Sequence, residues 1–141
     1  MKNAVFGAIG VVGSFIVGSF GGWSMALETL MIFMAIDFIS GLIVAGIFHN
    51  SPKTKNGALE SNRCWKGLFR KLMTLVFVMV GYRIDLALDV DYVKNAVIFA
   101  FMANELISIV ENAGLMGLPI PAAITNAIEI LKNKEKKGEG E

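Results

Sequence analysis

The chain is poor in the residues that usually carry chemistry. Its 141 residues include one cysteine, Cys64, and one histidine, His49. A single cysteine cannot close a disulfide within the chain and reads as an incidental, reduced thiol. The pair also falls short of a protein-only zinc site, which needs three or four ligands, mostly nitrogen or sulfur. There is no Gly-rich phosphate loop, no nucleophile–base pattern and no metal-ligand cluster of recognisable spacing. No cofactor is therefore expected, and an enzyme is not expected either. Charge is scarce as well: 18% of residues are charged, and they sit in blocks. The formal net charge of +1 says little about partners; its distribution says more.

What the chain has instead is apolar length. Hydrophobic residues make up 55%, with 15 glycines, above the usual soluble range. The length fits one domain, and the pattern predicts a single integral membrane domain over 1–131. Residues 4–23 contain no charge and are long enough to cross a hydrocarbon core of about 30 Å. A secretory signal peptide is the competing reading, but its apolar region would be shorter and end at a small-residue cleavage site. Gly10, Ser14, Gly18 and Gly22 recur at every fourth position, which on a helix makes a groove for close approach of another backbone. Gly13 and Gly21 widen it.

A second span is expected over 27–48, with Asp37 at its middle. A central Asp costs about 2.5–3.5 kcal/mol on insertion scales, which the surrounding Leu, Ile, Val and Phe outweigh. Asp37 reads either as a lumen-facing carboxylate or as one satisfied by a neighbouring helix. The stretch 49–71 is a polar, basic loop carrying Lys53, Lys55, Arg63, Lys66, Arg70 and Lys71 against Glu60. A nucleic-acid surface is one use of such a patch; between membrane spans the positive-inside rule explains it better, so the loop is expected to be cytoplasmic. Trp65, Leu68 and Phe69 interleave with the basic residues, which predicts a short amphipathic helix on anionic headgroups. The third span, 72–88, contains Arg83. Arg83 and Asp37 lie about 20 Å and about 16 Å from the cytoplasmic face at 1.5 Å per residue, depths that permit an ion pair between them.

The fourth apolar stretch, 92–110, is the least self-sufficient. Its large apolar residues favour insertion by about 4 kcal/mol, most of which Glu105 cancels, with Asn104 adding to the penalty. Asn104, Ser108, Glu111 and Asn112 share one helix face, with Glu105 beside them, so the helix spans with that stripe at a subunit seam or a water-filled lumen, or else lies along the membrane surface. Gly114, Gly117, Pro119 and Pro121 close this helix. Ile120, Ile124, Ile128 and Leu131 then line one face of a short amphipathic helix over 120–131, expected on the inner leaflet or on a neighbouring subunit. The segment 132–141 reads as a charged, disordered tail.

The consistent fold class is an all-α membrane protein with four transmembrane helices (three possible) plus the short amphipathic C-terminal helix. Both termini are then cytoplasmic, which suits the lysines of the tail. Asp37-Phe38-Ile39-Ser40-Gly41, the basic loop, and Asn104 to Asn112 followed by Gly114, Gly117, Pro119 and Pro121 together resemble the phage-lysis and toxin-secretion holins of low-GC Gram-positive bacteria and their phages. The resemblance covers nearly the whole chain and implies a protein of the bacterial cytoplasmic membrane. Such a protein accumulates as a homo-oligomer in the lipid bilayer and opens lesions that release an endolysin or a toxin. A small ion channel or transporter subunit using Asp37, Arg83 and Glu105, and an antiholin that regulates lysis, are the alternatives from other functional classes. No nucleic-acid partner is expected.

Overall fold

The computed structural model describes residues 1–139 and contains five helices and no strand among them. They are α1 (Lys2–Ser19), α2 (Met25–Gly46), α3 (Ser61–Leu88), α4 (Val93–Leu115) and α5 (Ala122–Glu139). Among the described residues, α1, α2 and α4 are long and apolar enough to cross a membrane.

Local chemistry sets the boundaries. The Ser24 hydroxyl accepts the Leu27 amide at 3.2 Å and so caps the N-terminus of α2. Asp89, in the left-handed region at φ 53°, ends α3. The start of α4 borrows its cap from another helix: the Asp85 carboxylate accepts from the Val93 amide at 2.8 Å and the Lys94 amide at 3.0 Å. These amides have no partner inside their own helix, and an anion there also meets the positive end of the helix dipole. Gly117, at φ 84°, turns the chain beyond α4.

The hub is α4, which packs on α2, α3 and α5, whereas α2 and α3 touch each other little. The core joins Leu27, Leu30 and Met34 of α2, Val78 of α3, and Ile98 and Met102 of α4, with Phe20 closing one end. Lys94 Nζ donates to the Phe20 carbonyl at 2.9 Å. At the other end Asn50 Nδ2 donates to the Leu115 carbonyl at 3.4 Å. These two ties make α2 and α4 parallel, so α3 must run the height of the bundle in the opposite direction.

Three sequence expectations change here. The surface helix and the third span are one unbroken helix, since nothing between Ser61 and Leu88 interrupts the backbone ladder. The first span ends at Ser19, and Gly21 and Gly22 lie in a turn at φ 77° and 94°. A Cβ at Gly21 would stand 2.5 Å from the Tyr82 ring, so glycine is required both for the turn and for its seat on α3. Gly22 therefore leaves the helical groove. The amphipathic helix, expected to stop at Leu131, continues to Glu139 and folds back along α4, with Gly138 against Ala96 and Lys134 Nζ 5.1 Å from the Phe99 ring centre. Its inward positions are Ala127, Ile128, Leu131, Glu135 and Gly138, a helical stripe that buries apolar surface on α4 beyond the point where the charge run begins. The helix thus reaches the end of the bundle opposite the basic loop, not the end expected from the lysine bias. Residues 140 and 141 of the expected tail lie outside the described residues.

Candidate functional site

The charged centre of the bundle is built by one residue from each of three helices. Lys71 Nζ lies 2.7 Å from Asp37 Oδ2 and 2.6 Å from Glu105 Oε2. The three side chains are 14%, 9% and 13% exposed, respectively. One ammonium is thus shared by two carboxylates away from bulk water, which leaves a surplus acid when all three are ionised. On the other side of Asp37, Asn112 Nδ2 donates to Asp37 Oδ1 at 3.1 Å and to Ser40 Oγ at 2.8 Å. Asp37 is thereby held by α3 through Lys71 and by α4 through Asn112, and every strong acceptor of its carboxylate is engaged. That is the arrangement a buried charge requires, because unpaired it costs several kcal/mol.

The expected Asp37–Arg83 pair does not form. Arg83 is exposed on the outer side of α3, and Asp37 takes Lys71 instead. The physical reason is helix phase. Thr74, Val78, Gly81 and Asp85 are the buried positions of α3, and the same three-and-four spacing extended back one turn arrives at Lys71. Arg83 is out of phase with that stripe. Charge alone puts Lys71 in the basic loop; the periodicity Lys71-Thr74-Val78-Gly81-Asp85 is the signal in the sequence that assigns it to the inner face of α3.

The polar stripe of α4 divides in two. Glu105 and Asn112 turn inward to the network, Ser108 is half-buried, and Asn104 and Glu111 are exposed. The exposed residues of α4 are Asn95, Asn104, Glu111 and Gly114, the others being half-buried or buried. Asn104 and Glu111 are seven positions apart, hence on one line along the helix. Among the exposed positions of the hub, an amide and a carboxylate thus form one polar line.

Of the small-residue groove, Gly10, Ser14 and Gly18 lie on α1, which has no buried residue. A Cβ at Gly10 or Gly18 would meet nothing within 4 Å. The groove therefore has no partner among the described residues.

A model of the bacteriophage holin family matches residues 14–133. An uncharacterised protein of Halalkalibacterium halodurans is 37% identical over 124 residues, covering 84% of this chain and 86% of its own. An uncharacterised protein of Listeria monocytogenes is 36% identical over 121 residues, with 85% and 81% covered. A protein of Bacillus phage phi105 named a probable holin is 32% identical over 108 residues, with 76% and 74% covered. No solved structure matches the chain.

Proposed function

Because the chain belongs to the bacteriophage holin family, we propose that it oligomerises in the cytoplasmic membrane and opens lesions through which an endolysin or a secreted toxin reaches the cell wall. It is an all-helical membrane protein with three long apolar candidate spans. The observation that carries the lesion reading is the exposed polar line of Asn104 and Glu111 on α4, the helix that packs on α2 and α3. Asn104 lies near the middle of α4, where an amide facing hydrocarbon is costly, while Glu111 lies one turn from the helix end, beside Lys53 of the basic loop. The amide is relieved by a neighbouring copy or by water. A sealed oligomer supplies the first and an open ring the second, so opening is a shift of population between the two.

The helix directions support four spans. If α2 and α4 cross in parallel, the α3 between them returns across the same thickness; its Arg83 near the far end is long enough to snorkel to the interface. The basic loop then marks the cytoplasmic side. The docked α5 fits this arrangement only outside hydrocarbon. Lys132, Lys134, Lys136 and Lys137 would each cost up to about 2.5–3.5 kcal/mol at mid-depth. In the bilayer α5 therefore leaves α4 for the inner surface, returning the C-terminus to the cytoplasm and uncovering a face of the hub for a second copy. The open groove on α1 offers a further packing surface of the small-residue kind.

The test is inducible expression in a bacterium that holds a reporter enzyme in its cytoplasm, with and without a co-expressed endolysin. The expected result is abrupt growth arrest, reporter release with both proteins, and no wall lysis with the endolysin alone. Selective, graded ion conductance without protein release would overturn the lesion reading.

A further inference from the structure

Between α2, the loop 51–60 and the first turns of α3 lies a cavity of about 350 Å³. Its floor is the Asp37–Lys71–Asn112 end of the charged network, and its rim carries Lys53, Arg63, Lys66 and Arg70. Among the described residues the ion pairs are the two made by Lys71, so these four cations face the cavity without a bonded acid, against Glu60 on the same lining. The Thr54 hydroxyl, also in the lining, is buried and has no hydrogen-bond partner among the described residues. Leu42, Val44 and Leu59 give the wall an apolar part. Four cations, an unsatisfied hydroxyl and an apolar wall in one concavity ask for an anion with an apolar body.

We propose that this cavity binds the phosphate of an anionic phospholipid, with Arg63, Lys66 and Arg70 on the phosphate oxygens and the Thr54 hydroxyl donating to one of them. The shared chemistry is a phosphate, which free phosphate also has. The lipid is the occupant because the cavity stands at the basic end of a membrane bundle, where headgroups lie, and because Trp65 and Phe69 are exposed on the same turns of α3 as the cations. Gly67 lies in the lining, and a Cβ there meets nothing within 4 Å, so the floor stays accessible to a headgroup. The site does not depend on lesion formation, since it belongs to the single closed chain.

The experiment measures lipid retained by the protein purified in mild detergent, using native mass spectrometry after exposure to phosphatidylglycerol or phosphatidylcholine. Phosphatidylglycerol is retained at least about tenfold more strongly. Gly67→Phe, which fills the cavity without changing charge, and the double variant Arg63→Gln/Lys66→Gln each weaken that retention about tenfold or more. The pair Lys55→Gln/Lys132→Gln, which removes as much charge outside the cavity, leaves it unchanged. Far-UV circular dichroism confirms that each variant keeps its helix content. Equal retention of the two lipids overturns the proposal, as does undiminished retention by both cavity variants. Displacement of the lipid by millimolar inorganic phosphate assigns the site to free phosphate and overturns it too.

Discussion

Replacing Lys71 with Met keeps the length and apolar stem of the side chain and removes only its ammonium. The consequence follows from the two contacts at 2.7 and 2.6 Å. Without Lys71, the Asp37 and Glu105 carboxylates face each other within two hydrogen-bond lengths, at 9% and 13% exposure and with no cation between them. Breaking a buried pair by deleting one partner costs about 3–5 kcal/mol. Residual exposure and protonation of one acid place this case near the lower end, about 3 kcal/mol. That is a large part of the 5–15 kcal/mol typical of a folded domain and shifts the folded-to-unfolded ratio by about two orders of magnitude. Glu105→Gln, by contrast, leaves one ammonium facing one carboxylate and is expected to be neutral or mildly stabilising. The triple variant Lys71→Met/Asp37→Asn/Glu105→Gln removes all three charges while leaving Asn112 an amide oxygen to donate to, and should recover most of the loss. The assay is unfolding by heat or denaturant in matched micelles, followed by circular dichroism. If Lys71→Met unfolds at the wild-type midpoint, or if the triple variant is no more stable than Lys71→Met alone, the charge network does not hold the helices together.

Four further outcomes are expected. Asn104→Leu should leave insertion intact but change lysis timing at equal expression, while Glu105→Leu acts through the Lys71 network and changes unfolding as well; unaltered timing in Asn104→Leu would count against the exposed strip as seam or lumen. Gly18→Ile should weaken cross-linking between copies without changing the unfolding midpoint, since a Cβ there meets nothing in its own chain; undiminished cross-linking removes the groove as a contact. Gly21→Ala should destabilise by about 1–2 kcal/mol from the left-handed backbone alone, and more from the Tyr82 clash. Combining it with Tyr82→Ala should restore only the clash part, as read from melting temperatures. Asp85→Ala leaves the Val93 and Lys94 amides uncapped and should cost about 1–2 kcal/mol, measurable in the same unfolding experiment.

The polar residues of α4 have positions that are separable only in three dimensions. Glu105 and Asn112 stand beside Asn104 and Glu111 on any helical projection. The packing of α2 and α3 against α4 decides which pair is sealed. Arg83 illustrates the opposite error: depth along the chain permitted its pairing with Asp37, and rotation about the helix axis forbade it.

Composition and periodicity by themselves determined the class of this protein. Uninterrupted apolar runs, acids at isolated positions and a basic break between spans require helices, because only a helix satisfies its own backbone in lipid. The glycines and prolines after α4 set where it stops, since the chain there has no other low-energy course. Tertiary structure decided what one-dimensional distance cannot encode. It continued α3 back through the basic segment, brought Lys71 to both Asp37 and Glu105, gave Asp85 to the start of α4 as a cap, and set α4 among three helices with Asn104 and Glu111 left exposed. Each of these depends on helix rotation and on which faces meet, and those are fixed only when the competing buried charges and apolar stripes are satisfied together.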